Sequence, residues 1–123
     1  MIDPNVLNIL VIALIAVESG GDCNVVGDDG LAVGCLQIRP IMVQDVNRIL
    51  ECPAFSLKDR YDKKASVEIL RVYSNHYCTK KRLGHKPTMR DISRNWNGGP
   101  NGYKKKSTIK YWKKVETELS KKG

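Results

Sequence analysis

From residue 6 to residue 17 every side chain but Asn8 is apolar, and Glu18 ends the run. A stretch apolar on all sides reads as a helix buried in a core. Asp3 before Pro4 supplies an N-cap and a first helical residue, so a helix is predicted over residues 4–18. The pattern then changes. Val25-Val26, the Gly27-Asp28-Asp29-Gly30 cluster and the apolar stretch from Leu31 to Ile38 predict a β-hairpin over residues 22–38, with the Gly/Asp cluster as its turn. Pro40 opens a second helix that runs to Leu50 and is broken by Cys52-Pro53. Ala65, Ile69, Val72, Tyr73 and His76 recur at helical spacing and predict a third helix over residues 62–81. Residues 84–87 form a loop, and Thr88 caps a fourth helix that ends before the turn-rich Asn97-Gly98-Gly99-Pro100-Asn101-Gly102. Ile109, Trp112, Val115 and Leu119 mark one face of a last amphipathic helix over residues 108–119. The expected class is α+β, mostly α. The hairpin starts a few residues after Glu18 and is placed to form one wall of a cleft with that carboxylate at its base.

The chain of 123 residues is expected to be a single domain, and at 41% hydrophobic it can bury one core without metal or many disulfides. The first apolar stretch does not read as a signal peptide, because Asp3 stands where a positive region belongs and no small-residue cleavage site precedes Glu18. It is also shorter than the roughly 20 residues of a membrane span, so no membrane insertion is expected. Charge is uneven. Residues 1–59 carry three basic and eight acidic side chains, residues 60–123 eighteen and five. A basic second half suits a polyanion: nucleic acid, an anionic membrane or the bacterial wall. Set against these is a lysine-rich solvated surface, the ordinary meaning of a charge run. Nucleic acid is disfavoured, since the Lys104-Lys105-Lys106 cluster comes with no recognition motif.

Cys23, Cys35, Cys52 and Cys78 include no Cys-x-x-Cys pair, so no metal site is expected. Four cysteines allow two disulfides in three connectivities. Cys23 with Cys35 would close the loop after Glu18, and Cys52 with Cys78 would tie a later loop to a helix; four buried thiols are the alternative. Disulfides fit an extracytoplasmic site of action.

Burial at the end of an apolar helix raises a carboxyl pKa, which is what a general acid at Glu18 needs. A solvated helix end is the plainer reading of the same residue. Ser19-Gly20-Gly21 lets the chain turn sharply beside it. Asp28 and Asp29 supply a second carboxylate in a polar turn, and glycoside hydrolysis commonly uses such a pair. Gly-Asp-Asp-Gly is also an ordinary turn sequence.

Val17-Glu18-Ser19-Gly20-Gly21 and Gly34-Cys35-Leu36-Gln37-Ile38-Arg39-Pro40 resemble the opening motifs of the lysozyme-like superfamily, as in soluble lytic transglycosylases and goose-type domains. Asn97-Gly98-Gly99-Pro100-Asn101-Gly102 followed by Tyr111-Trp112-Lys113-Lys114-Val115 is similar to the C-terminal signature of invertebrate-type lysozymes. The resemblance implies a lysozyme-like fold with the hairpin beside the active-site cleft. It implies a peptidoglycan muramidase, a glycoside hydrolase cleaving the β-1,4 bond between N-acetylmuramic acid and N-acetylglucosamine. Glu18 would be the acid, and Asp29 or Asp28 would stabilise the transition state or activate water. Gln37 and Asn97 would hydrogen-bond sugar or position the catalytic groups, Trp96 would stack on a sugar ring, and Ser19 and Tyr111 would complete the substrate site. Turn or strand structure for Gln37 and Asn97, and a core position for Trp96 and Tyr111, are the plainer readings. A lytic transglycosylase forming anhydro-muramyl ends, with no second carboxylate, is the alternative. A non-catalytic wall-binding or nucleic-acid-binding protein ranks behind both. The implied partner is peptidoglycan, met by a monomer without a cofactor in a secreted, periplasmic or virion setting. Two departures stand out. Trp96 occupies the aromatic position where the transglycosylases have Tyr, and the chain has far fewer cysteines than invertebrate-type lysozymes.

Overall fold

The structure, a computed structural model, describes residues 1–121. It is mostly helical with a two-stranded antiparallel sheet, which matches the expected class. The elements are α1 (Pro4–Ser19), β1 (Val26–Gly27), β2 (Ala32–Val33), α2 (Pro40–Leu50), α3 (Lys63–Tyr77), α4 (Lys80–Leu83), α5 (Met89–Gly98) and α6 (Ile109–Ser120). Short 3-10 turns lie at Asp28–Gly30, Leu57–Tyr61, Gly102–Lys104 and Lys106–Thr108. The chain forms two compact units. One comprises Met1–Val17 and the chain from Ser74; the other is Glu18–Tyr73.

In the first unit, Asp3 caps α1 as expected, its Oδ1 accepting from Asn5 N–H at 2.9 Å. Leu7, Leu10 and Leu14, spaced three and four apart, are buried on one face. Each such side chain contributes about 1.5–3 kcal/mol on burial. The opposite face corrects the expectation of a helix buried all round: Ile9 is 55% exposed and Ile12 is 50% exposed. The third helix stops earlier than its periodicity suggests. Thr79 turns extended, and its hydroxyl accepts from Arg82 N–H to cap α4 as a separate turn. Thr88 caps α5 as expected. Its hydroxyl accepts from Asp91 N–H, and the Asp91 carboxylate accepts from Thr88 N–H and lies 2.8 Å from His85 Nε2. The helix then continues through Asn97 and Gly98 before Gly99 ends it at φ 90°.

In the second unit, β1 and β2 pair Val26 with Val33 and Gly27 with Ala32, and a bridge joins Val33 to Ile38. Leu36, Ile38, Val46, Ile69 and Leu70 are fully buried there. Arg60, in the 3-10 turn after α2, is buried too. Its Nε donates to Leu57 O at 2.8 Å, and its Nη1 donates to Leu31 O at 3.0 Å and Ile38 O at 3.1 Å. A guanidinium taken out of water is tolerated only when its donors are satisfied in this way.

Cys23 and Cys35 form a disulfide, which closes a short loop and is worth about 3 kcal/mol by loop-closure entropy. A Cys52–Cys78 bridge is not formed. Cys52 is an exposed thiol, and Cys78 is buried at the end of α3, where its Sγ accepts from Asn95 Nδ2 at 3.4 Å. Burial pushes the Cys78 thiol up to about 11, with the Asn95 amide pulling the other way. At pH 8 only about 0.1% of such a thiol is thiolate. A disulfide-exchange reagent is therefore expected to titrate one thiol quickly in the native protein and the second only after denaturant is added. Two fast thiols would overturn this assignment.

Candidate functional site

Glu18 lies in the last turn of α1 and is half-buried. The helix ends one residue later because Gly20 and Gly21 take φ values of 64° and 93°, which other residues rarely adopt. Ser19 Oγ accepts from Gly21 N–H at 3.2 Å and so helps to make this reversal. Asp22 Oδ1 accepts from Asn24 N–H, and the Cys23–Cys35 disulfide then leads the chain into the hairpin.

The hairpin turn is tight. Asp28 and Asp29 have φ values of 48° and 56°, a left-handed pair that aspartate tolerates better than most residues. Asp28 Oδ2 accepts from Arg39 Nη2 at 2.6 Å. Both side chains are well exposed, so the pair is worth at most about 1 kcal/mol. Asp29 is exposed. Gln37 sits at φ 51°, and its Nε2 donates to both Val25 O and Gly34 O at 3.1 Å. Its amide group thus stitches the base of the hairpin.

Glu18, Ser19, Asp28, Asp29 and Gln37 all belong to the unit Glu18–Tyr73; Trp96, Asn97 and Tyr111 belong to the other. Trp96 is only 5% exposed, which removes its ring from sugar stacking and makes it a core aromatic. Asn97 is exposed in the last turn of α5, and Tyr111 is half-buried on α6. Asn95, one turn before Gly99, is fully buried, and its Oδ1 accepts from Tyr103 N–H at 2.7 Å. It holds the 3-10 turn at Gly102–Lys104 against α5. An asparagine beside a tryptophan carried no sequence signal for that role.

Two further features were not legible in the sequence. One is the exposed apolar face of α1. The other is how sharply charge divides between the units. By sequence, the first unit carries fourteen Lys/Arg against four Asp/Glu, and the second seven against nine. Among the described residues no cluster of three or more His, Cys, Asp or Glu is arranged to hold a metal ion, and no helix is long and apolar enough to cross a membrane.

No family model matches the chain, and no curated protein matches it. Among solved structures, a chain in the crystal structure of Aeromonas hydrophila PliI in complex with Meretrix lusoria lysozyme is similar to it. The TM-score is 0.76 at 27% identity, covering 95% of this chain and 93% of that chain. The functional expectation is corrected on this finding. The similarity is to one component of a protein–protein complex, and the expected peptidoglycan partner is withdrawn on it. The readings as a muramidase or other glycoside hydrolase, as a lytic transglycosylase and as a bacteriolytic wall-degrading enzyme are not carried forward.

Proposed function

We propose that this chain works by binding a protein, as one component of a complex of the kind that PliI and lysozyme form, and that it does so on a lysozyme-like scaffold outside the cytoplasm. The observation that carries this reading is the nearly end-to-end similarity to a chain of that complex. The ordered segments Val17-Glu18-Ser19-Gly20-Gly21 and Gly34-Cys35-Leu36-Gln37 support the scaffold. The Cys23–Cys35 disulfide supports the compartment. The local geometry agrees with a binding role. Ser19 Oγ accepts from Gly21 N–H, Gln37 donates to the Val25 and Gly34 carbonyls, Asp28 bonds Arg39, and Trp96 is buried.

Calorimetric titration of the purified chain against Meretrix lusoria lysozyme and, separately, against Aeromonas hydrophila PliI tests the proposal. One of the two is expected to form a one-to-one complex with Kd of about 1 μM or tighter. Purified peptidoglycan incubated with the chain is expected to release no new glycan ends. Absence of a complex with either protein at about 100 μM would defeat the reading. So would release of glycan ends that Glu18→Gln abolishes.

A further inference from the structure

The exposed residues of α1 fall on one stripe. Asn5, Asn8, Ile9, Ile12 and Ala16 recur at helical spacing and are all exposed, opposite the buried Leu7, Leu10 and Leu14. No charged side chain occurs in the sequence from Pro4 to Val17. Solvent-facing helix surfaces ordinarily carry charge, so an uncharged stripe with two half-exposed isoleucines is unusual. Beside it, Ile9, Ile12 and Ala16 share an open groove of about 290 Å³ with Glu118, Leu119 and Lys121 of the α6 end. The volume suits one or two apolar side chains.

The charge around this groove is one-sided. At the groove itself Glu118 and Lys121 form an ion pair at 2.8 Å that adds no net charge, so the sign is set by the cations around it. One and two turns back along the same face of α6 lie Lys114 and Lys110, both exposed. The whole unit holds fourteen basic against four acidic side chains.

We infer that this groove seats an acidic amphipathic helix of a protein partner, its apolar side chains entering beside Ile9, Ile12 and Leu119 and its carboxylates meeting Lys110, Lys114 and the surrounding cations. The inference rests on the protein-binding reading above and adds the place and the chemistry of the contact. An apolar stripe supplies affinity, and the basic flank supplies orientation and encounter rate.

A direct test follows the Ile δ1 methyl signals by NMR. The probe is a synthetic peptide of about sixteen residues with leucines at i, i+3, i+4 and i+7 and glutamates on the opposite face. It is expected to shift Ile9 and Ile12 saturably. Ile9→Glu/Ile12→Glu is expected to weaken the peptide about tenfold or more, and a lysine-for-glutamate version of the peptide to bind more weakly still. Both isoleucines are half-exposed, so the variant is expected to melt with the wild type. Shifts confined to lysine-bearing segments would overturn the inference. Concentration-dependent shifts of the same methyls without peptide would also overturn it, in favour of a second copy of the chain. In the titration against lysozyme and PliI, a complex formed undiminished by Ile9→Glu/Ile12→Glu would overturn the groove as the seat. Peptide binding in the groove with no complex to either protein would uphold the groove and sink the proposed function alone.

Discussion

Gly34→Ala is expected to lower stability by about 4 kcal/mol and the melting temperature by about 15 °C. Gly34 has φ 89°, in the left-handed region that costs other residues about 1–2 kcal/mol. A Cβ at this position would run into the backbone carbonyl of Arg60 and touch that of Cys23. Neither can retreat easily. Arg60 is fixed by its own bonds to Leu57, Leu31 and Ile38, and its carbonyl accepts from Ser66 Oγ at 3.1 Å. Cys23 is fixed by its disulfide. Gly84→Ala is the control: its φ is 83°, but nothing lies within 4 Å of the added atom. It is expected to cost only the backbone share, about 1 kcal/mol. Thermal and urea unfolding of both variants separate the two contributions. Equal losses would mean that the close approach of Gly34 to Arg60 has no energetic weight.

The same pairing of Gly34 with Arg60 shows where sequence reasoning reached and where it stopped. Elements with a local cause were legible. Pro40 and Cys52-Pro53 bracket α2, and Thr88 opens α5, because a cap or a breaker acts within a few residues. Arg60 was not legible, since its partners lie up to 29 residues away and an arginine in a charged stretch looks solvated. The apolar run of α1 gave a helix but not its orientation. When nearly every position is apolar, periodicity cannot tell the face with Leu7, Leu10 and Leu14 from the face with Ile9 and Ile12. Asn97-Gly98 read as a turn, yet α5 runs through it, because the positive-φ residue that ends the helix is Gly99.

The candidate site was legible as residue types rather than as chemistry. Glu, Asp, Gln and Trp at these positions suit a glycan site, and the resemblance built on them led to a hydrolase. Composition and spacing do not say what a side chain is bonded to. Gln37 closes the hairpin base, Asp28 is bonded to Arg39, and Trp96 is in a core. The proposed protein partner rests on structural similarity, for which no short motif stands.

Arg60→Met is expected to cost about 3–4 kcal/mol, second only to Gly34→Ala. Methionine keeps most of the stem's apolar contact but removes the donors to Leu57 O, Leu31 O and Ile38 O. The Ile38 carbonyl keeps its bond from Val33 N–H, so the loss falls chiefly on Leu57 O and Leu31 O. A carbonyl left buried without a donor costs about 1–3 kcal/mol, and sparing the guanidinium its desolvation returns part of that. Arg60→Lys separates charge from geometry. A lysine keeps the charge, yet its single ammonium cannot span three carbonyls as the planar fork does, so about 2 kcal/mol of the loss is expected to remain. Arg71→Met, which breaks only the half-exposed ion pair to Glu68, is expected to change stability by less than about 0.5 kcal/mol. Hydrogen exchange localises the effect. Val33 N–H and Ile38 N–H bond each other's carbonyls across the bridge beside Arg60, and both amides are expected to lose protection in Arg60→Met and keep it in Arg71→Met. An Arg60→Met protein within about 0.5 kcal/mol of wild type, with those amides still protected, would show that the hairpin is held by its disulfide and Gln37 without the buried arginine.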